Sequence, residues 1–199
     1  DALERALGAG VAISKGGGGA WKAYETLLRS GYAHPNLIKL RERLAVVLVR
    51  EHDAQIRQGA REPVPSLRLD DWEVQRQRLE SAAQVADGPE LRATIERRAS
   101  LFRVAKALYM SRYEEAASLA AQAAEQNTDL VFPRWMQISA LMHANKYEDA
   151  LAILDALRPR LERELPTLLP YERVTRALVY QKLGRTDEAG ALYLELLAN

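Results

Sequence analysis

The chain has 199 residues, a formal net charge of +1 and no cysteine. That length buries a substantial core, and the near balance of 28 basic and 27 acidic residues removes any broad electrostatic case for nucleic acid. Without cysteine, disulfides and thiolate metal sites are excluded, while cytoplasm and periplasm both stay open as compartments. No apolar run approaches the ~20 residues needed to span a bilayer. Arg outnumbers Lys 22 to 6 and Ala is abundant, which we read as the composition of a GC-rich bacterial genome. With no signal peptide and no initiating Met, the chain reads as a piece of a longer protein.

Residues 1–15 open with a capping-box pattern, Asp1-x-x-Glu4, and an apolar stripe of Leu3, Ala6 and Leu7; Gly8 and Gly10 then weaken the helix, and the apolar Val11 and Ile13 follow in a stretch compatible with extended backbone. Alone, such a segment is too short for a stable helix. Gly16 to Gly19 follow as a flexible tether. Two origins stand, a natural linker or an engineered one fusing a peptide to residues 20–199; the absence of other low-complexity sequence favours the second. In that case 1–15 is a docking segment, held in the groove of its own chain or of a neighbour in a swapped dimer. A phosphate loop is excluded, because Lys15 precedes the glycines instead of following them.

From Ala20 the pattern is helical. Trp21, Tyr24, Leu27 and Leu28 share one face, and Gly31 stops the helix. Pro35 opens a second helix that runs to about Gln58, and residues 59–66, with Pro63 and Pro65, form a loop. Asp70 or Asp71 caps the next helix, which stops at Asp87-Gly88, and Pro89 starts a long one. Ala82 stands 34 residues before Ala116, so a decayed repeat is a candidate upstream.

Three related stretches then organise the C-terminal half: Arg112-Tyr-Glu-Glu-Ala116, Lys146-Tyr-Glu-Asp-Ala150 and Arg185-Thr-Asp-Glu-Ala189. Aligned with them are Val104, Ile138 and Ala177 before the motif, and Ala120, Leu154 and Tyr193 after it. Each copy reads as helix, tight turn, helix, with turns near 111–113, 145–147 and 184–186. Asn145 and Gly184 suit a left-handed residue that ends a helix, and the small Ala116, Ala150 and Ala189 suit a close helix crossing. The third copy lies 39 residues after the second, not 34; the extra length at 158–170 predicts a lengthened helix, a bend near Pro166 and a new helix at Pro170.

A 34-residue helix-turn-helix period with Tyr-x-x-Ala after the turn resembles the tetratricopeptide repeat family. The Trp-x-x-Leu-Gly signature of that family is poorly kept, with Trp135 and Ile138 one residue out of register, and the Pro at the repeat end is missing or displaced. The resemblance implies an all-α, right-handed solenoid of helical hairpins, here about eight helices. Residues 20–199 form one domain on this reading, with divergent hairpins over 20–96 and three repeats over 97–199.

The chemistry of the side chains points away from catalysis. No two of His34, His52 and His143 share the i, i+4 spacing of paired metal ligands, so solvated or hydrogen-bonded roles are expected. Carboxylate pairs such as Asp70-Asp71 and Glu114-Glu115 sit at helix starts, where caps explain them, and Arg97-Arg98 is expected to face solvent. No Gly-x-Ser-x-Gly elbow occurs, and no metal or cofactor is implied. What remains is a surface. The resemblance implies that the first helices of the repeats line a concave groove for an extended peptide or a helix. Its candidate lining residues are Phe102, Arg103, Lys106, Tyr109, Met136, Ser139, Met142, His143, Thr175 and Lys182. The expected function is a non-enzymatic scaffold for a bacterial pilus, secretion or envelope assembly. A ligand-sensing domain of a transcription regulator is the alternative, and a helical enzyme domain would require a buried cluster of titratable residues.

Overall fold

A computed structural model describes residues 2–9, 19–31, 35–59 and 69–198. The described residues form ten α-helices and one short 3-10 helix, with no strand. Val11, Ile13, Lys15, the tether residues 16–18, His34, Asp1 and the loop prolines Pro63 and Pro65 lie outside them.

Contacts divide the chain into two compact units, one drawn from residues 1–55 and 69–99, the other from 56–68 and 100–199. The first unit contains α1 (Ala2–Gly8), α2 (Ala20–Arg29), most of α3 (Asn36–Gly59), α4 (Leu69–Val85) and the first half of α5 (Pro89–Tyr109). Ten helices stand where about eight were expected, and one of the additional two is α1, helical despite its seven residues. Tertiary burial overrides its poor intrinsic stability: Leu3 is fully buried, Leu7 nearly so, and the helix packs on α2. Two other expectations for this unit are corrected. The fourth helix begins at Leu69, so Asp71 lies in its first turn and is not its cap. It also runs unbroken to Val85, so no turn stands 34 residues before residues 111–113 and the hairpin period does not extend upstream in that register.

The second unit contains the end of α5 and then α6 (Tyr113–Gln126), α7 (Phe132–His143), α8 (Tyr147–Glu164), the 3-10 turn Pro166–Leu168, α9 (Leu169–Lys182) and α10 (Thr186–Leu197). Along it α6 packs on α7, α7 on α8, α8 on α9 and α9 on α10. The three predicted turns fall between α5 and α6, α7 and α8, and α9 and α10. All three are closed the same way. Ser111, Asn145 and Gly184 have φ of 56°, 58° and 73°. The amides of Arg112, Lys146 and Arg185 reach five residues back to Ala107, Leu141 and Tyr180 at 2.9, 2.8 and 2.9 Å. The amides of Ser111, Asn145 and Gly184 reach Leu108, Met142 and Gln181 at 3.0, 3.1 and 3.2 Å. This double bond pattern satisfies the carbonyls that a helix end leaves open. Asn145 and Gly184 were legible; Ser111, at the same conformation, was not.

The alanines after the turns are buried, Ala116 and Ala150 completely and Ala189 to 4% exposure, so no larger side chain fits between the paired helices. The extra length is taken up as expected. The eighth helix continues to Glu164, carries Pro159 inside it, and is flanked there by the Arg158–Glu162 and Arg160–Glu164 ion pairs at 2.9 and 3.0 Å. The 3-10 turn at Pro166 makes the bend, and Pro170 sits at the start of α9.

Candidate functional site

In the second unit the candidate groove residues separate by exposure. Arg103, Lys106, His143 and Lys182 are exposed, Tyr109 is 69% exposed, and Phe102 and Met142 are half-buried. Met136, Ser139 and Thr175 retain only 1%, 6% and 1% of their surface, and the Thr175 hydroxyl donates to the Tyr171 carbonyl at 2.9 Å. Those three positions are packing positions: one step around a helix exchanges solvent for core. Arg103, Lys106 and Tyr109 therefore make an exposed strip along the last two turns of α5, continued by Met110 in the turn that follows. Neither Arg103 nor Lys106 makes an ion pair among the described residues.

The next hairpin boundary is more tightly tied than the sequence shows. The His143 ring stacks on Tyr113, with centroids 5.0 Å apart and planes 18° apart. The Lys146 ammonium reaches Glu114 in the first turn of α6 at 2.8 Å. That hydrogen bond holds the Glu114 carboxyl below the usual carboxylate range. Glu114 and Glu115 are thus first-turn residues of α6, not caps: the N-cap is Arg112, and its side chain makes no capping bond. Tyr113 and Tyr147 each donate a hydroxyl hydrogen bond to the left-handed residue of the preceding turn, Ser111 at 3.2 Å and Asn145 at 2.6 Å.

Cavities open among the described residues of this unit. One, of about 130 Å³, is lined by the apolar Leu130, Val131, Phe132, Leu165 and Leu168 together with Arg57, Asp129 and Thr167. The residues added at 158–170 supply Leu165, Thr167 and Leu168, so the length variation builds part of a pocket. Another is an open cleft of about 330 Å³ beside α8, lined by Glu148, Leu151, Ala152, Asp155, Leu183 and Arg185. Behind it, Arg176 joins the fully buried Glu172 through Nε at 2.7 Å and also binds Asp155 of α8. Burial by itself would lower the Arg176 pKa, but hydrogen bonds and charge from Asp155 and Glu172 outweigh it and raise the value.

The first unit carries a buried polar cluster. Arg98 is 3% exposed and binds both Asp53 oxygens, at 2.8 and 3.0 Å, so of the Arg97-Arg98 pair expected to face solvent only Arg97 is exposed. A guanidinium enters a core only where a matched carboxylate awaits it. Arg78 pairs with Glu51 at 3.1 Å and bonds Gln75 at 3.1 Å. Between these pairs His52 is fully buried. Its pKa falls to about 4, first because burial penalises the imidazolium, then because Arg98 and Arg78 repel it against the opposing pull of Asp53. Each acid has a guanidinium and the imidazole has no exposed surface, so the cluster has the form of a paired structural network. Among the described residues, no three His, Asp or Glu side chains group as a metal site, and no helix is long and apolar enough to cross a membrane.

No family model, no curated protein and no solved structure matches the chain.

Proposed function

We propose that the chain is a non-enzymatic interaction scaffold built from tetratricopeptide-like hairpins, which binds a peptide or helix of a partner protein in a bacterial assembly. The observation that supports this most is the exposed strip on α5. Arg103, Tyr109 and Met110 are of the residue types enriched at protein interfaces, and they sit at helical spacing with Lys106. Two cations without ion pairs beside two exposed apolar side chains suit a segment that alternates acidic and apolar residues. The test is a pull-down with the chain and with an Arg103→Glu, Lys106→Glu, Tyr109→Ala variant, read by mass spectrometry. A partner captured by the first and lost by the second is the expected result. Equal capture by both removes the strip from the proposal.

The 130 Å³ cavity favours a second reading, a ligand-sensing helical domain. A space of that size takes a small apolar molecule or a single side chain. Thermal stabilisation by small aromatic or branched apolar compounds, abolished by Leu168→Trp, would support this reading over the first.

A further inference from the structure

Two successive hairpin boundaries place equivalent residues side by side, and they differ in one respect. At the first, the Lys146 ammonium crosses to Glu114 at 2.8 Å. At the second, Glu148 stands where Glu114 does and Arg185 where Lys146 does, but no crossing bond forms. Arg185 turns back to Glu188 with two hydrogen bonds and lies over the Tyr180 ring, 4.3 Å from its centroid. The residues equivalent to Tyr180 are Ala107 and Leu141, so only the third copy has a ring to hold its cation. Glu148 is exposed and makes no hydrogen bond or ion pair among the described residues. The cleft of about 330 Å³ opens there. Its apolar floor is larger than at the first boundary, with Leu151 and Leu183 in place of Ala117 and Ala144.

We propose that this cleft binds the side chain of a lysine from a partner protein segment. The ammonium takes the place on Glu148 that Lys146 occupies on Glu114, while Asp155, the other carboxylate of the lining, is already paired with Arg176. The methylene stem lies along Leu151, Ala152 and Leu183, as long cationic side chains lie on apolar surface. An ammonium is the matching cation because the molecule itself makes this contact with one, whereas its guanidinium at the equivalent position is engaged elsewhere. The site is on α8 and the turn between α9 and α10, uses none of the α5 strip residues, and stands or falls independently of them.

The test uses the whole chain labelled with nitrogen-15 and titrated at low salt with N-acetyl-lysine methylamide. Saturable amide shifts confined to Leu151, Ala152, Leu183 and their neighbours are expected at millimolar probe. Glu148→Gln should weaken them by about fivefold, the worth of one partly exposed ion pair. Glu162→Gln, which removes a carboxylate already paired with Arg158, should leave them unchanged. Lys146→Ala should create a second responsive site around Glu114, Ala117 and Ala144. Equal binding of N-acetyl-norleucine methylamide, or shifts spread without saturation over surface carboxylates, would overturn the proposal. Tighter binding of spermidine than of the lysine probe would place a free polyamine in the cleft and overturn it as well.

Discussion

Individual side chains carry the most specific pH behaviour. The unfolded chain protonates His52 near 6.5, whereas the folded chain does so only near 4. Protons therefore favour the unfolded state between those values, and stability present above pH 6.5 is lost as pH falls towards 4. At 1.36 kcal/mol per unit, the loss is about 3 kcal/mol. His52→Gln should flatten urea-unfolding stability across that window; a slope retained in the variant would assign it to other groups. The neighbouring pair gives a contrast in magnitude. Arg98→Ala leaves Asp53 buried without its guanidinium and should cost about 3–5 kcal/mol. Arg158→Ala removes an exposed i, i+4 pair and should cost only about 0.5 kcal/mol.

At the scale of the element, one turn motif is built with three residues of different backbone tolerance. Gly184 is at φ 73°, and a Cβ there would meet no atom within 4 Å. The cost of Gly184→Ala is then conformational alone, about 1 kcal/mol. Ser111→Gly should run the other way and raise the melting temperature, because it releases the same strain and gives up only an exposed hydroxyl contact with Tyr113. If both changes lowered stability, the left-handed backbone would not be the controlling factor. The motif also shows where the sequence is transparent. Helix ends were readable because left-handed geometry selects Asn and Gly, and because apolar residues recur at helical steps. Ser111 hid because serine carries no such signal. Asp53 and Arg98 hid for a different reason: they lie 45 positions apart, and pairing across elements leaves no local pattern. The open cleft at Glu148 was nearly legible, since it appears once Lys146 and Arg185 are compared copy against copy.

For the molecule as a whole, the division into two compact units means that stability need not be lost everywhere at once. Tryptophans report on each: Trp21 and Trp72 belong to the first unit, and the nearly fully buried Trp135 to the second. With single-tryptophan forms, Arg98→Ala should shift the Trp72 urea transition to lower concentration more than the Trp135 transition. Coincident shifts would show that the two units unfold as one.

The proline inside α8 has a consequence for how salt acts on the protein. Pro159 has no N–H to give to the carbonyl of Asp155, so the final turns of that helix lack one of their backbone ties. Arg158–Glu162 and Arg160–Glu164 clasp the helix just beyond the break, and both pairs are open to solvent. Ions in solution screen such contacts and leave the buried network around Arg98 almost untouched. Raising the ionic strength should hasten deuterium uptake first at residues 160–164, so a local, reversible loosening would precede any change in the core.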